Sequence, residues 1–170
     1  MSTATHVTLP RKPKRVRMTR EDLTELTTTF YVAAPEGKPW GLDGEQFAIG
    51  LRQLSTQAVT APLRTSQDMT EQLAFDGHST MFAVHVGDVP IDGQFMEASQ
   101  SLNIGPCTAA EAAAFIEWFQ NLLPEGARLR FNSEKGVESG DMEDYWIPAG
   151  ARCDAIAKEL LNHLDEAVDE

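Results

Sequence analysis

The sequence predicts a single α+β domain: a small mixed β-sheet, built from a hairpin plus one βαβ crossover, packed by two long amphipathic helices and preceded by N-terminal helices. Three observations carry that expectation. Thr80 to Val86 alternates with a period of two, as a strand does. Residues 109–123 and 151–168 place apolar side chains at helical spacing. Residues 94–131 read strand, helix, strand, the order of a right-handed crossover between parallel strands. A length of 170 residues suits one domain, and 42% apolar residues exclude wholesale disorder.

Residues 1–14 lack hydrophobic periodicity and read as a flexible basic arm, leaving 15–170 as one acidic domain. Val16 and Met18 suit a short strand. Thr19 has the hydroxyl of an N-cap, and Leu23, Leu26, Thr27 and Phe30 continue at helical spacing, so a helix is expected near 20–30. Pro35 to Gly41 is a loop by its Pro and Gly content. A second helix starts at Asp43 or Gly44 and carries Phe47, Ala48, Leu51 and Leu54 on one stripe, with Gly50 an unfavourable choice inside it. Ser66 caps a short helix that turns Met69, Leu73 and Ala74 inward.

The strand at 80–86 has two largely apolar faces, which suits a strand inside the sheet. Gly87-Asp88 and Asp92-Gly93 punctuate a short link to a second strand near 94–104, with Met96, Ala98, Leu102 and Ile104 sharing a face. So short a link joins antiparallel strands only. Thr108 and Glu111 form a capping box for the helix that follows. Ala127 to Phe131 alternates apolar and basic residues as a half-buried strand. Residues 133–140 read as a turn or loop, and Tyr145-Trp146-Ile147 as an edge strand closed by Pro148. The last helix stacks Cys153, Ile156, Ala157, Leu160, Leu161, Leu164 and Val168 on one side.

The charge is divided unevenly. Residues 1–20 hold six bases and no acid, while the rest holds all 26 acids and 8 bases, a net charge of −18. Such a body attracts a basic protein and repels nucleic acid and anionic membrane. Excess carboxylates also simply keep a protein soluble. In the arm, Arg11, Lys12, Lys14, Arg15 and Arg17 offer a salt-dependent phosphate contact, although no aromatic side chain stands among them for base stacking.

Local motifs for chemistry are missing. There is no glycine-rich phosphate loop, no Gly-x-Ser-x-Gly, no His-Glu-x-x-His and no Cys-x-x-Cys. The four histidines lack metal spacing, so neither a metal nor a cofactor is expected. Cys107 precedes a helix start, where a thiol is activated, but no base accompanies it in sequence and a buried, inert thiol is the simpler reading. Two cysteines and no apolar run of membrane-spanning length point to a cytoplasmic protein.

The candidate surface for a basic protein partner is the carboxylate-rich stretch Glu138, Asp141, Glu143 and Asp144 with the aromatics Tyr145 and Trp146 beside it. The competing use of these residues is a solvated loop followed by core aromatics. Arg128 and Arg130, two residues apart on one strand face, are expected to pair with neighbouring acids. The expected function is a non-enzymatic, acidic protein-binding module, of the inhibitor or immunity type that masks a basic toxin or nuclease. The alternative is a nucleic-acid-associated regulator that uses the arm.

Overall fold

The computed structural model describes residues 19–54, 59–62, 79–141 and 143–169. In chain order these form α1 (Arg20–Glu25), β1 (Thr28–Ala33), α2 (Gly44–Leu54), β2 (Val59–Pro62), β3 (Ser79–Val86), β4 (Val89–Met96), β5 (Ser101–Cys107), α3 (Ala109–Gln120), β6 (Leu129–Ser133), α4 (Glu134–Glu138), β7 (Tyr145–Ile147) and α5 (Cys153–Asp169). The basic arm, the strand expected at Val16 and Met18, and the helix expected after Ser66 lie outside the described residues.

One seven-stranded sheet runs β2-β3-β4-β5-β1-β6-β7, and every neighbouring pair is antiparallel. This corrects the mixed sheet. The strand–helix–strand unit β5-α3-β6 does join two strands of the same direction, since both run antiparallel to β1. However, β1 lies between them, so no parallel pair forms among the described residues.

That inserted strand was expected to be the second half of a helix. The helix instead stops at Glu25, after a capping box between Thr19 and Asp22, and Leu26 is already extended. Thr28-Thr29-Phe30-Tyr31-Val32 is a run of β-branched and aromatic residues, which lose side-chain freedom in a helix and pack well on a pleated surface. Leu23 and Phe30 are both buried, but from different elements.

The second hairpin strand also starts earlier than expected. A two-residue turn at Gly87-Asp88 leads straight into β4, so Asp92 and Gly93 sit within a strand. The expected strand at 94–104 is broken at Glu97 to Gln100. Gln100 holds a left-handed backbone (φ 49°), fixed by its own side chain: Nε2 donates to Leu42 O (2.7 Å) and Glu97 O (2.8 Å), and Oε1 accepts from Leu42 N (3.1 Å). These long-range bonds carry no local signature in the sequence.

The helices bury one face of the sheet. Phe82, Val84, Ile91, Phe95, Leu102, Ile104, Phe30, Val32, Leu129 and Phe131 point into that layer. Phe47 of α2 stacks on Phe95 and meets Phe82 edge-on, while Phe115 of α3 stacks on Phe82. Trp40 joins from its loop, edge-on to Phe119 and bonded through Nε1 to Arg128 O. Each such ring contributes roughly 1.5–3 kcal/mol by leaving water. At Gly50 a Cβ would meet the tip of the Leu122 side chain, a flexible neighbour that can move aside.

Of the two helices expected to be long and amphipathic, only α5 has a sharply divided surface. Helix α3 is twelve residues and apolar around most of its circumference. The capping box at Thr108 and Glu111 is present, with reciprocal bonds of 3.2 and 2.9 Å. The polar stretch after Ser133 is a short helix rather than a loop, because the Ser133 hydroxyl accepts from Gly136 N (3.0 Å) and starts it.

Among the described residues no helix covers the opposite face of the sheet. Cross-strand partners align Met81, Gln94, Asn103, Tyr31 and Asn132 in one row across five strands. Trp146 lies on the same face, opposite Arg130. β3 does lie inside the sheet, between β2 and β4, and on its outward side Met81 is 44% exposed. No described helix is long and apolar enough to cross a membrane.

Candidate functional site

The carboxylate-rich stretch and its aromatics meet at the corner where β6, α4, β7 and α5 converge. β7 is an edge strand, as expected, and pairs only with β6 in the sheet. Its pleat separates the two aromatics. Tyr145, opposite Phe131, leans toward the helix layer, with its ring 4.4 Å from that of His163. Trp146, opposite Arg130, points outward and is 38% exposed.

Most of the acids are engaged locally. The Tyr145 hydroxyl donates to Asp141 Oδ2, and Glu143 N donates to Asp141 Oδ1 (2.9 Å). These two bonds, that of Tyr145 foremost, hold the Asp141 carboxyl below its ordinary range. Burial, then the Asp141 carboxylate, pushes the Tyr145 phenol up. Asp144 lies 3.4 Å from Arg130, whose Nε also donates to Ala34 O (2.8 Å). Glu138 lies 3.8 Å from Lys135. Among the described residues Glu134 and Glu143 have no ion-pair partner, so the field at this corner is weaker than a count of its acids suggests. Arg128 stacks over the Trp146 ring, 4.1 Å from its centroid, and pairs with no acid among the described residues. The corner thus offers one outward aromatic, clamped by a guanidinium, amid exposed carboxylates.

Behind it is a polar pair absent from the sequence reading. Ser133 Oγ and His163 Nε2 are 2.7 Å apart, and both residues are buried. The spacing Ile156, Leu160, His163, Ala167 put His163 on the inward stripe of α5, and that was the available signal. Although the distance matches a nucleophile and its base, Ser133 is wholly shielded from solvent and its oxygen already accepts from Gly136 N. A substrate has no route to it in this arrangement. Nδ1 of His163 is buried without a partner, and burial pushes the imidazole pKa down, with Asp141 opposing.

Cys107 is buried, and its thiol is pushed up to about 12 by burial, with Glu111 and Asp92 adding to the shift. The helix start beside it does not compensate. No group of three or more His, Cys, Asp or Glu side chains among the described residues is placed to hold a metal ion. Arg11, Lys12, Lys14, Arg15 and Arg17 lie outside the described residues. No family model, curated protein or solved structure matches this chain.

Proposed function

We propose that the chain is a non-enzymatic binding module whose acidic body engages a basic protein, as an inhibitor that masks a basic enzyme such as a nuclease or toxin does. The observation that carries this reading is Trp146: a large aromatic, 38% exposed on an edge strand, with exposed Glu143 and Asp144 immediately before it. Aromatic anchors amid complementary charge dominate the energetics of many protein interfaces. The net −18 outside the first 20 residues supplies steering toward a cationic partner.

The test is affinity capture from source cells, followed by calorimetry with the purified captured protein. A basic partner is expected, bound more weakly as salt rises. Trp146→Ala and the pair Glu143→Lys/Asp144→Lys should each weaken it tenfold or more. Binding that ignores all three substitutions removes this reading. So does measurable affinity for DNA or RNA that disappears on deleting residues 1–18, which would favour the basic segment as the contact.

A further inference from the structure

Among the described residues the sheet has helices on one face only, and its open face is neither uniformly polar nor neutral. Two of the four exposed large apolar side chains, Met81 and Trp146, lie on it at opposite ends. From Met81 a shallow groove of about 530 Å³ crosses β3, β4 and β5 to Thr29 of β1, lined also by Ala83, Asp92, Gln94 and Asn103. Asp92 is the only charged residue in that lining. On β1, burial, then the nearby Glu134 and Glu138, pushes the Tyr31 phenol up. Arg130 is tied to Asp144 and to Ala34 O. The face therefore combines apolar footholds with four carboxylates, Asp92, Glu134, Glu138 and Asp144, against the three cations Arg128, Arg130 and Lys135.

We propose that this open face receives one basic amphipathic helix of the partner protein, lying across the strands from Met81 toward Trp146. This deepens the binding reading above and rests on it. The interior strands have spent their backbone donors and acceptors on the ladder, so the face offers side chains only, and a helix presents a matching apolar stripe. From β3 to β7 is five strand spacings, roughly 24 Å, which a helix of about 16 residues spans. Lysines or arginines beside the stripe would meet Asp92, Glu134, Glu138 and Asp144.

The probe is a 16-residue amphipathic peptide of Leu and Lys, compared with a scrambled peptide of the same composition that lacks the stripe. Both are titrated against the full chain by fluorescence anisotropy. The patterned peptide should bind at least tenfold tighter. Ala83→Arg and Asn103→Arg should weaken it at least tenfold. Ala155→Arg, which adds the same charge on the exposed side of α5, should change it less than twofold. Should an arginine variant fail to fold by circular dichroism, the ε-methyl resonance of Met81 in the unsubstituted chain, expected to shift on titration, reports the same contact.

Equal loss from Ala155→Arg, or no preference for the patterned peptide, would mean diffuse charge attraction and overturn the proposal. Two other occupants would overturn it as well. One is a second copy, seen as a dimer in sedimentation that Ala83→Arg dissociates. The other is residues 11–17 of this chain, seen as tighter peptide binding once 1–18 are deleted. If the captured partner is lost with Glu143→Lys/Asp144→Lys but retained with Ala83→Arg and Asn103→Arg, the face falls and the acidic corner stands. The reverse pattern sinks the corner.

Discussion

Ser133 and His163, thirty residues apart in sequence, hold α5 against the end of β6 through a 2.7 Å bond that solvent does not reach. Asn132, Ser133, Gly136, Asp141 and Tyr145 gather around that bond. Asn132 Nδ2 donates to Asp141 O (2.9 Å), and Asn132 Oδ1 accepts from Ser133 N (2.7 Å). The rigidity of the acidic corner is therefore set from within, and the corner is coupled to the protonation of one imidazole.

Stability should fall as the solution is acidified. Burial lowers the pKa of His163 in the folded state relative to its ordinary 6.5. The neutral imidazole's contribution is thus complete above about 6.5 and is lost as pH drops from there through the lower folded value. Denaturant unfolding between pH 5 and 8 should show this slope, and His163→Leu should flatten it. An unchanged slope in the variant would assign the effect to other groups.

Gly136→Ala should destabilise the fold by about 2 kcal/mol, the usual scale of overpacking. A Cβ there would strike Asn132 Oδ1 and the His163 ring. Urea unfolding measures it, and the variant should also lower the protection of the Ser133 and Gly136 amides against hydrogen exchange. Wild-type stability in this variant would show that the corner yields easily.

Cys107 should resist alkylation. With a thiol near 12, roughly one molecule in ten thousand carries the thiolate at pH 8. Iodoacetamide at that pH should label the half-buried Cys153 first and Cys107 only after denaturation. Rapid labelling of Cys107 in the folded protein would revive it as a reactive residue.

Arg128→Ala should cost at most about 1 kcal/mol, the range of an exposed cation–π contact. Its clearer signature is optical: with the guanidinium gone from the Trp146 ring, acrylamide should quench that indole more strongly. The Trp146 share of the emission is obtained by difference from Trp146→Phe, since the buried Trp40 and the partly buried Trp118 also emit.

What was legible in the sequence is what short-range chemistry writes. The Thr108 capping box, the stripe of α5, the alternation of β3 and the edge position of Tyr145 to Ile147 each depend on residues within a few positions of one another. What was not legible depends on distant partners. Leu26, Thr27 and Phe30 sat at helical spacing behind Leu23, and only pairing with β5 and β6 makes Thr28 to Ala33 a strand. The break at Gln100 needs Leu42, and the hydrogen bond of His163 needs Ser133. The candidate corner was found by composition. Which of its side chains reach solvent was decided by the pleat of β7, which sends Trp146 out and keeps Tyr145 in.

The place of β1 has a consequence for biosynthesis. Thr28–Ala33 leaves the ribosome early, yet the strands on either side of it begin at Ser101 and Leu129. This interior strand must wait for its first partner until synthesis has reached Cys107, and for its second until Ser133. The nascent chain therefore cannot close its sheet progressively from the N-terminus, and it depends for that interval on whatever shields an apolar ribbon during translation.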